Sequence, residues 1–97
     1  MPRVNITPKA LEIAESAGLY VEHGLQTNVL KNGTERQRHV IEIGEEDSDF
    51  LIIYGVGNGG ILYLITKPAY VEDLPAHIED SMQLRRVVEF AALEVTR

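Results

Sequence analysis

The run from Phe50 to Thr66, FLIIYGVGNGGILYLIT, constrains the fold more than any other stretch of the chain. Two apolar segments flank Asn58-Gly59, a dipeptide that supplies the positive φ values of a type I′ turn and so predicts a β-hairpin. A two-residue loop sets Val56 opposite Ile61, Tyr54 opposite Tyr63 and Ile52 opposite Ile65, with Gly57 facing Gly60. Side chains alternate along each strand. One face then carries Phe50, Ile52, Tyr54, Val56, Ile61, Tyr63 and Ile65, and the other Leu51, Ile53, Leu62 and Leu64, with the bare backbone of Gly55 opposite Leu62. A sheet apolar on both faces must be covered on both. A chain of 97 residues has little helix to spare for that, so the pattern points to self-association.

The same length predicts a single domain over 1–97, with one core. Hydrophobic residues at 44% and charged residues at 25% match globular averages and argue against long disordered stretches. Apolar runs of about seven residues fall far short of the ~20 that a membrane helix needs. The N-terminal MPRVNITPK lacks the apolar block of a signal peptide, so the expectation is a soluble, cytoplasmic protein with no membrane partner. The absence of cysteine removes disulfides, thiolate nucleophiles and cysteine-ligated metals. A formal net charge of −6 disfavours direct nucleic-acid binding, which is driven mainly by cationic side chains releasing counterions.

Helix-start signals occur twice. Thr7-Pro8 joins a capping side chain to a proline at the first helical position. Ala10, Ile13, Ala14 and Ala17 follow at helical spacing until Gly18, which is placed to end the helix in a left-handed conformation. Asp73-Leu74-Pro75 repeats the cap-and-proline signal. Leu74, Ile78, Met82, Val88, Ala92 and Val95 then form a stripe, with Leu84, Val87 and Ala91 beside it. The reading is one long helix, or a short and a long one broken near Asp80-Ser81.

Between the helices, Asn32-Gly33 predicts a hairpin from about Thr27 to Arg38 with a polar, exposed tip. A half-buried strand carries His39, Ile41 and Ile43 on one face and Arg38, Val40 and Glu42 on the other. The acidic loop from Gly44 to Asp49 leads into the central hairpin, and Lys67-Pro68 stops its second strand. Residues 19–31 have no clean period. The fold class is therefore α+β: an N-terminal helix near Pro8 to Ala17, a three- to four-stranded antiparallel meander, and a long C-terminal helix packed on one sheet face, expected to cover Leu51, Ile53, Leu62 and Leu64 and to approach closely at Gly55.

No constellation carries chemistry on its own. Gly55-Val56-Gly57-Asn58-Gly59-Gly60 spells GxGxxG, but a dinucleotide site needs its last glycine to open a helix, and β-branched, aromatic Ile61 to Thr66 is strand. The acidic loop fails the calcium-loop spacing, since positions six and twelve from Asp47 are Ile52 and Asn58 rather than glycine and glutamate. His23, His39 and His77 form no HxH or HExxH pair, and Ser16, Ser48 and Ser81 sit in no nucleophile elbow. No catalytic residue, metal or cofactor is assigned. The ligand or interface candidates are Ile52, Tyr54, Ile61, Tyr63 and Ile65, an aromatic and branched set suited to an interface core or a pocket wall, with His39 as a polar pocket candidate.

Two functions fit. One is a small acidic interaction or regulatory protein, a homodimer acting by protein–protein binding without catalysis, whose partners are a second copy of itself and another protein with a basic surface. The other is a small-molecule-binding protein or small enzyme, with a pocket between the sheet and the C-terminal helix or at the dimer seam.

Overall fold

A computed structural model describes residues 4–96; residues 1–3 and 97, the ends of the expected domain, lie outside the described residues. The elements are α1 (Pro8–Ser16), β1 (Leu19–Val29), β2 (Glu35–Glu45), β3 (Leu51–Val56), β4 (Leu62–Thr66), β5 (His77–Ile78) and α2 (Ser81–Val95). The five strands pair antiparallel in chain order, β1-β2-β3-β4-β5. Short connections between sequential strands leave no other arrangement so direct. Both helices contribute to one core on a single face of the sheet, where Ala10, Ala14, Leu84, Val87, Val88 and Ala91 meet Val21, Ile41, Ile43, Ile52, Tyr54 and Leu62. The fold is α+β.

Local signals account for both helix ends. The Thr7 hydroxyl accepts from Ala10 N–H at 3.1 Å, and Gly18 takes φ 79° just past α1. The second helix starts later than Asp73. Its cap is Asp80, whose carboxylate accepts from Gln83 N–H at 2.8 Å, while the Gln83 amide oxygen accepts from Glu79 N–H at 2.6 Å. That start sets the phase, so the packed stripe is Leu84, Val87, Val88 and Ala91, and Met82 is exposed. Leu74 lies on the connection and Ile78 in a fifth strand. Leu64 N–H donates to Ala76 C=O at 2.9 Å, which holds 76–78 against β4 and makes the meander five strands rather than three or four.

The central hairpin has a register different from the expected one. Gly57 N–H donates to Ile61 C=O at 2.8 Å and Gly60 N–H to Gly57 C=O at 3.1 Å. The loop is therefore three residues, Asn58, Gly59 and Gly60. Gly59 sits at φ 75°, ψ 5°, the values of the third residue of a type II turn. Val56 now faces Leu62, Gly55 faces Tyr63 and Tyr54 faces Leu64, and an irregularity between Ile53 and Tyr54 leaves Ile65 as the extra residue on β4. A one-residue slip moves every side chain of one strand to the other face. Tyr54 and Tyr63, expected to be neighbours, lie on opposite faces.

Tyr54 consequently belongs to the core. It is fully buried, and its hydroxyl donates to Pro75 C=O at 2.7 Å, tying the β4–β5 connection to β3. Burial pushes its phenol up to about 12. A phenol with a raised pKa in the folded state supports folding below its unfolded value near 10 and loses that support as pH climbs toward 12. Tyr54→Phe should cost about 0.5 to 1.5 kcal/mol, the net worth of the hydrogen bond lost to Pro75 C=O. Chemical denaturation of wild type should show a fall in stability between pH 10 and 12 that is smaller in the variant; equal slopes would refute the assignment.

Candidate functional site

With both helices on one face, two surfaces stay uncovered: the opposite face of the sheet, and the outer part of the β1–β2 hairpin. Cross-strand partners fix the composition of the open face. Tyr20 faces Gly44 and Gln26 faces Arg38, and Ile53 faces Glu42 across β2–β3. Tyr63 faces Gly55.

The open face is sealed by side chains laid flat over glycines. A Cβ added at Gly55 would stand 2.6 Å from Tyr63 Cζ and 2.8 Å from Ile65 Cδ1, and one added at Gly44 would stand 2.5 Å from the Tyr20 hydroxyl. Glycine therefore makes room for a ring from the neighbouring strand, a cross-strand pairing that shields backbone otherwise open to water. At Gly55 this replaces the expected close approach of a helix. Leu51 and Ile53, expected under the C-terminal helix, lie on the open face instead, because the helices cover Ile52, Tyr54, Leu62 and Leu64. Lying across Gly55, the Tyr63 ring reaches β2, where its hydroxyl accepts from Arg38 Nη1 at 3.1 Å. Beneath this layer Val40 is only 1% exposed and Ile53 6%, although no helix lies over them. Tyr20 is held above the usual phenol value, first by burial and then by the charges of Glu42, Glu22 and Glu46.

The second surface is an arm. β3 pairs with β2 only from Val40 to Gly44, whereas β1 and β2 pair with each other from Leu19–Glu45 out to Val29–Glu35. Residues 25–39 thus project as a two-stranded ribbon and lengthen the molecule to 44 Å against 29 and 21 Å in the other directions. The turn closes through Leu30 N–H to Thr34 C=O at 2.8 Å and Gly33 N–H to Leu30 C=O at 2.9 Å. Leu25 and Val29, on the side of the sheet that bears the helices, are 59% and 69% exposed. Leu30, at the turn, is exposed as well.

The sequence candidates fall into three places. Ile52 and Tyr54 are under the helices; Tyr63 and Ile65 are on the open face; Ile61 closes the β3–β4 loop. His39 stands exposed on the arm opposite Leu25. The arm residues Leu25, Val29 and Leu30 were not among the candidates, and their signal was slight: an Asn32-Gly33 turn beside a stretch without any buried period. A cleft of about 210 Å³ opens between the β4–β5 connection and α2, lined by residues including Asp73, Pro75, Gln83, Arg86 and Phe90. It is smaller than the ~300–1,000 Å³ usual for ligand sites. Among the described residues no three His, Asp or Glu side chains are grouped to hold a metal, and Gly60 leads into β4 rather than a helix. No protein-family model matches the chain, and no curated protein or solved structure matches it.

Gly55→Val should destabilise the protein by about 1 to 3 kcal/mol through overpacking against Tyr63 and Ile65. Because the two closest atoms belong to the Tyr63 side chain, the cost should shrink in a Tyr63→Ala background. A double-mutant cycle by urea denaturation reads the difference, and additive costs would show that the ring is not what the glycine accommodates.

Proposed function

We propose that this protein acts by binding protein chains, as a homodimer and without catalysis, and that the β1–β2 arm is its recognition element. One observation supports this above others: the arm carries Leu25, Val29 and Leu30 in water, whereas the open sheet face has covered its apolar residues with its own rings. Exposed apolar side chains grouped on a projecting element mark interaction surfaces. Charge favours the same reading. The chain is acidic overall at −6 while the arm carries Lys31, Arg36 and Arg38 against a single Glu35, so the arm of one copy complements the acidic remainder of another. A chain without cysteine, in which no described helix is long and apolar enough to cross a membrane, is consistent with work in the cytoplasm.

The cleft beside α2 offers the competing reading of a small-molecule site, but its small size lends it little support. Sedimentation equilibrium over a concentration series should give a mass rising from 10.8 kDa toward twice that value. Leu25→Asp together with Val29→Asp should weaken the association at least about tenfold. The unfolding free energy should change by no more than about 0.5 kcal/mol, as for other surface substitutions. A wild-type protein that remains monomeric at every concentration would exclude the homodimer.

A further inference from the structure

The two edges of the sheet are built differently. The edge at β5 has two residues, His77–Ile78, a length that offers almost nothing to pair with. The edge at β1 has eleven, Leu19–Val29, paired to β2 without any register break. Edge strands are a hazard that proteins ordinarily blunt with lysine, proline, bulges or shortness. β1 has no lysine, no proline and no bulge, and its one carboxylate, Glu22, is on the open face with Tyr20. The Leu30 N–H to Thr34 C=O bond sets the phase of the ladder. Even-numbered residues of β1 bond to β2, and Leu19, Val21, His23, Leu25, Thr27 and Val29 turn their N–H and C=O groups outward.

We propose that these outward groups pair with the same groups of a second copy, through a two-fold antiparallel β1–β1 contact centred on Gly24, giving one continuous ten-stranded sheet. This rests on the reading above that the protein self-associates, and it names the surface. The occupant is argued from charge and from apolar match. β2 runs from the basic arm to the acidic turn of Glu45, Glu46, Asp47 and Asp49, so each protomer has a basic end and an acidic end along the same edge. Antiparallel pairing about Gly24 puts Val29 opposite Leu19 of the partner subunit and Thr27 opposite Val21 of the partner subunit. The basic tip at Lys31 then lies beside the acidic end of the other chain, whereas parallel pairing would bring like ends together. The same arrangement carries Leu25 and Val29, on the helix-bearing side, toward the part of the edge that α1 overlies, where Leu11 is exposed. Closed two-fold symmetry uses the edge once and leaves none for further growth.

Two variants test it. The chain has no cysteine, so Gly24→Cys adds a single thiol, and the atoms nearest its Cβ would be those of the Val40 and Glu42 side chains at ordinary contact distances of 3.6 and 3.8 Å. At the two-fold axis, Gly24→Cys should form a disulfide dimer under mild oxidation at least about tenfold faster than Thr66→Cys, an exposed site away from β1. Thr27→Pro removes an outward N–H that the monomer does not use and should weaken dimerisation at least about tenfold with circular dichroism unchanged. If that variant fails to fold, the Gly24→Cys crosslink decides. A dimer that crosslinks no faster at Gly24→Cys than at Thr66→Cys, or that tolerates Thr27→Pro in folded form, overturns the β1 contact while leaving self-association through another surface intact. A wild-type chain that stays monomeric overturns both.

Discussion

A single sheet presents two faces, and among the described residues nine in α1 and fifteen in α2 supply the α-helix with which to cover them. Both helices lie on one face, because Ala10 and Ala14 of one and Leu84, Val87, Val88 and Ala91 of the other complete a shared core. Everything else adapts to the face left over. Glycine at positions 44 and 55 lowers the surface by a side chain, and the rings of Tyr20 and Tyr63 fill the space from the adjacent strands. An aromatic ring covers a large apolar area, and its hydroxyl can reach water or a polar neighbour. The Arg38 guanidinium bonded to Tyr63 is such a neighbour, and its aliphatic stem adds to the cover.

The parts of this fold that were legible in the sequence are the parts governed by local chemistry. Thr7-Pro8 and Gly18 bracket α1, Asn32-Gly33 turns β1 into β2, and the alternation at His39 to Ile43 marks the strand with a buried face. The helix-bearing face of β3 was not legible: the helices cover Ile52 and Tyr54 rather than Leu51 and Ile53, because apolar residues fill both faces of that strand. The register of β4 failed by an integer. Gly59-Gly60 allows a three-residue loop where Asn58-Gly59 suggests two, and both loops have the glycines that they need at positive φ. Strand propensity cannot separate them, because Ile61 to Ile65 is apolar at every position and satisfies either register. Only the demands of both faces together, with Leu62 under α2 and Tyr63 over Gly55, choose between them.

The start of α2 shows the same limit from the other side. Asp73-Leu74-Pro75 and Asp80-Ser81-Met82 are both credible helix starts, and the first has proline in its favour. The second prevails because Pro75 C=O receives the Tyr54 hydroxyl and Ala76 C=O receives Leu64 N–H, so the intervening segment gains more as an added strand than as a helical turn. The candidate site was less legible than the fold. Periodicity reports burial, and the arm from 25 to 39 buries neither face well, so its residues looked patternless for the same reason that they are available for binding.

The order of the sheet has a consequence for how the protein is made. Every strand pairs with its neighbour in the chain, so the sheet can grow hairpin by hairpin as synthesis proceeds, with little loop-closure cost at each step. The cover cannot. α1 leans on α2, and Asn5 N–H donates to Ser81 Oγ at 2.8 Å across a separation of 76 residues, so the layer over Ile41, Ile43 and Ile52 is finished only when the last fifteen helical residues arrive. A nascent chain therefore passes through a stage in which a formed sheet shows water its most apolar face, and the length of that stage is set by the ribosome rather than by the intrinsic folding rate.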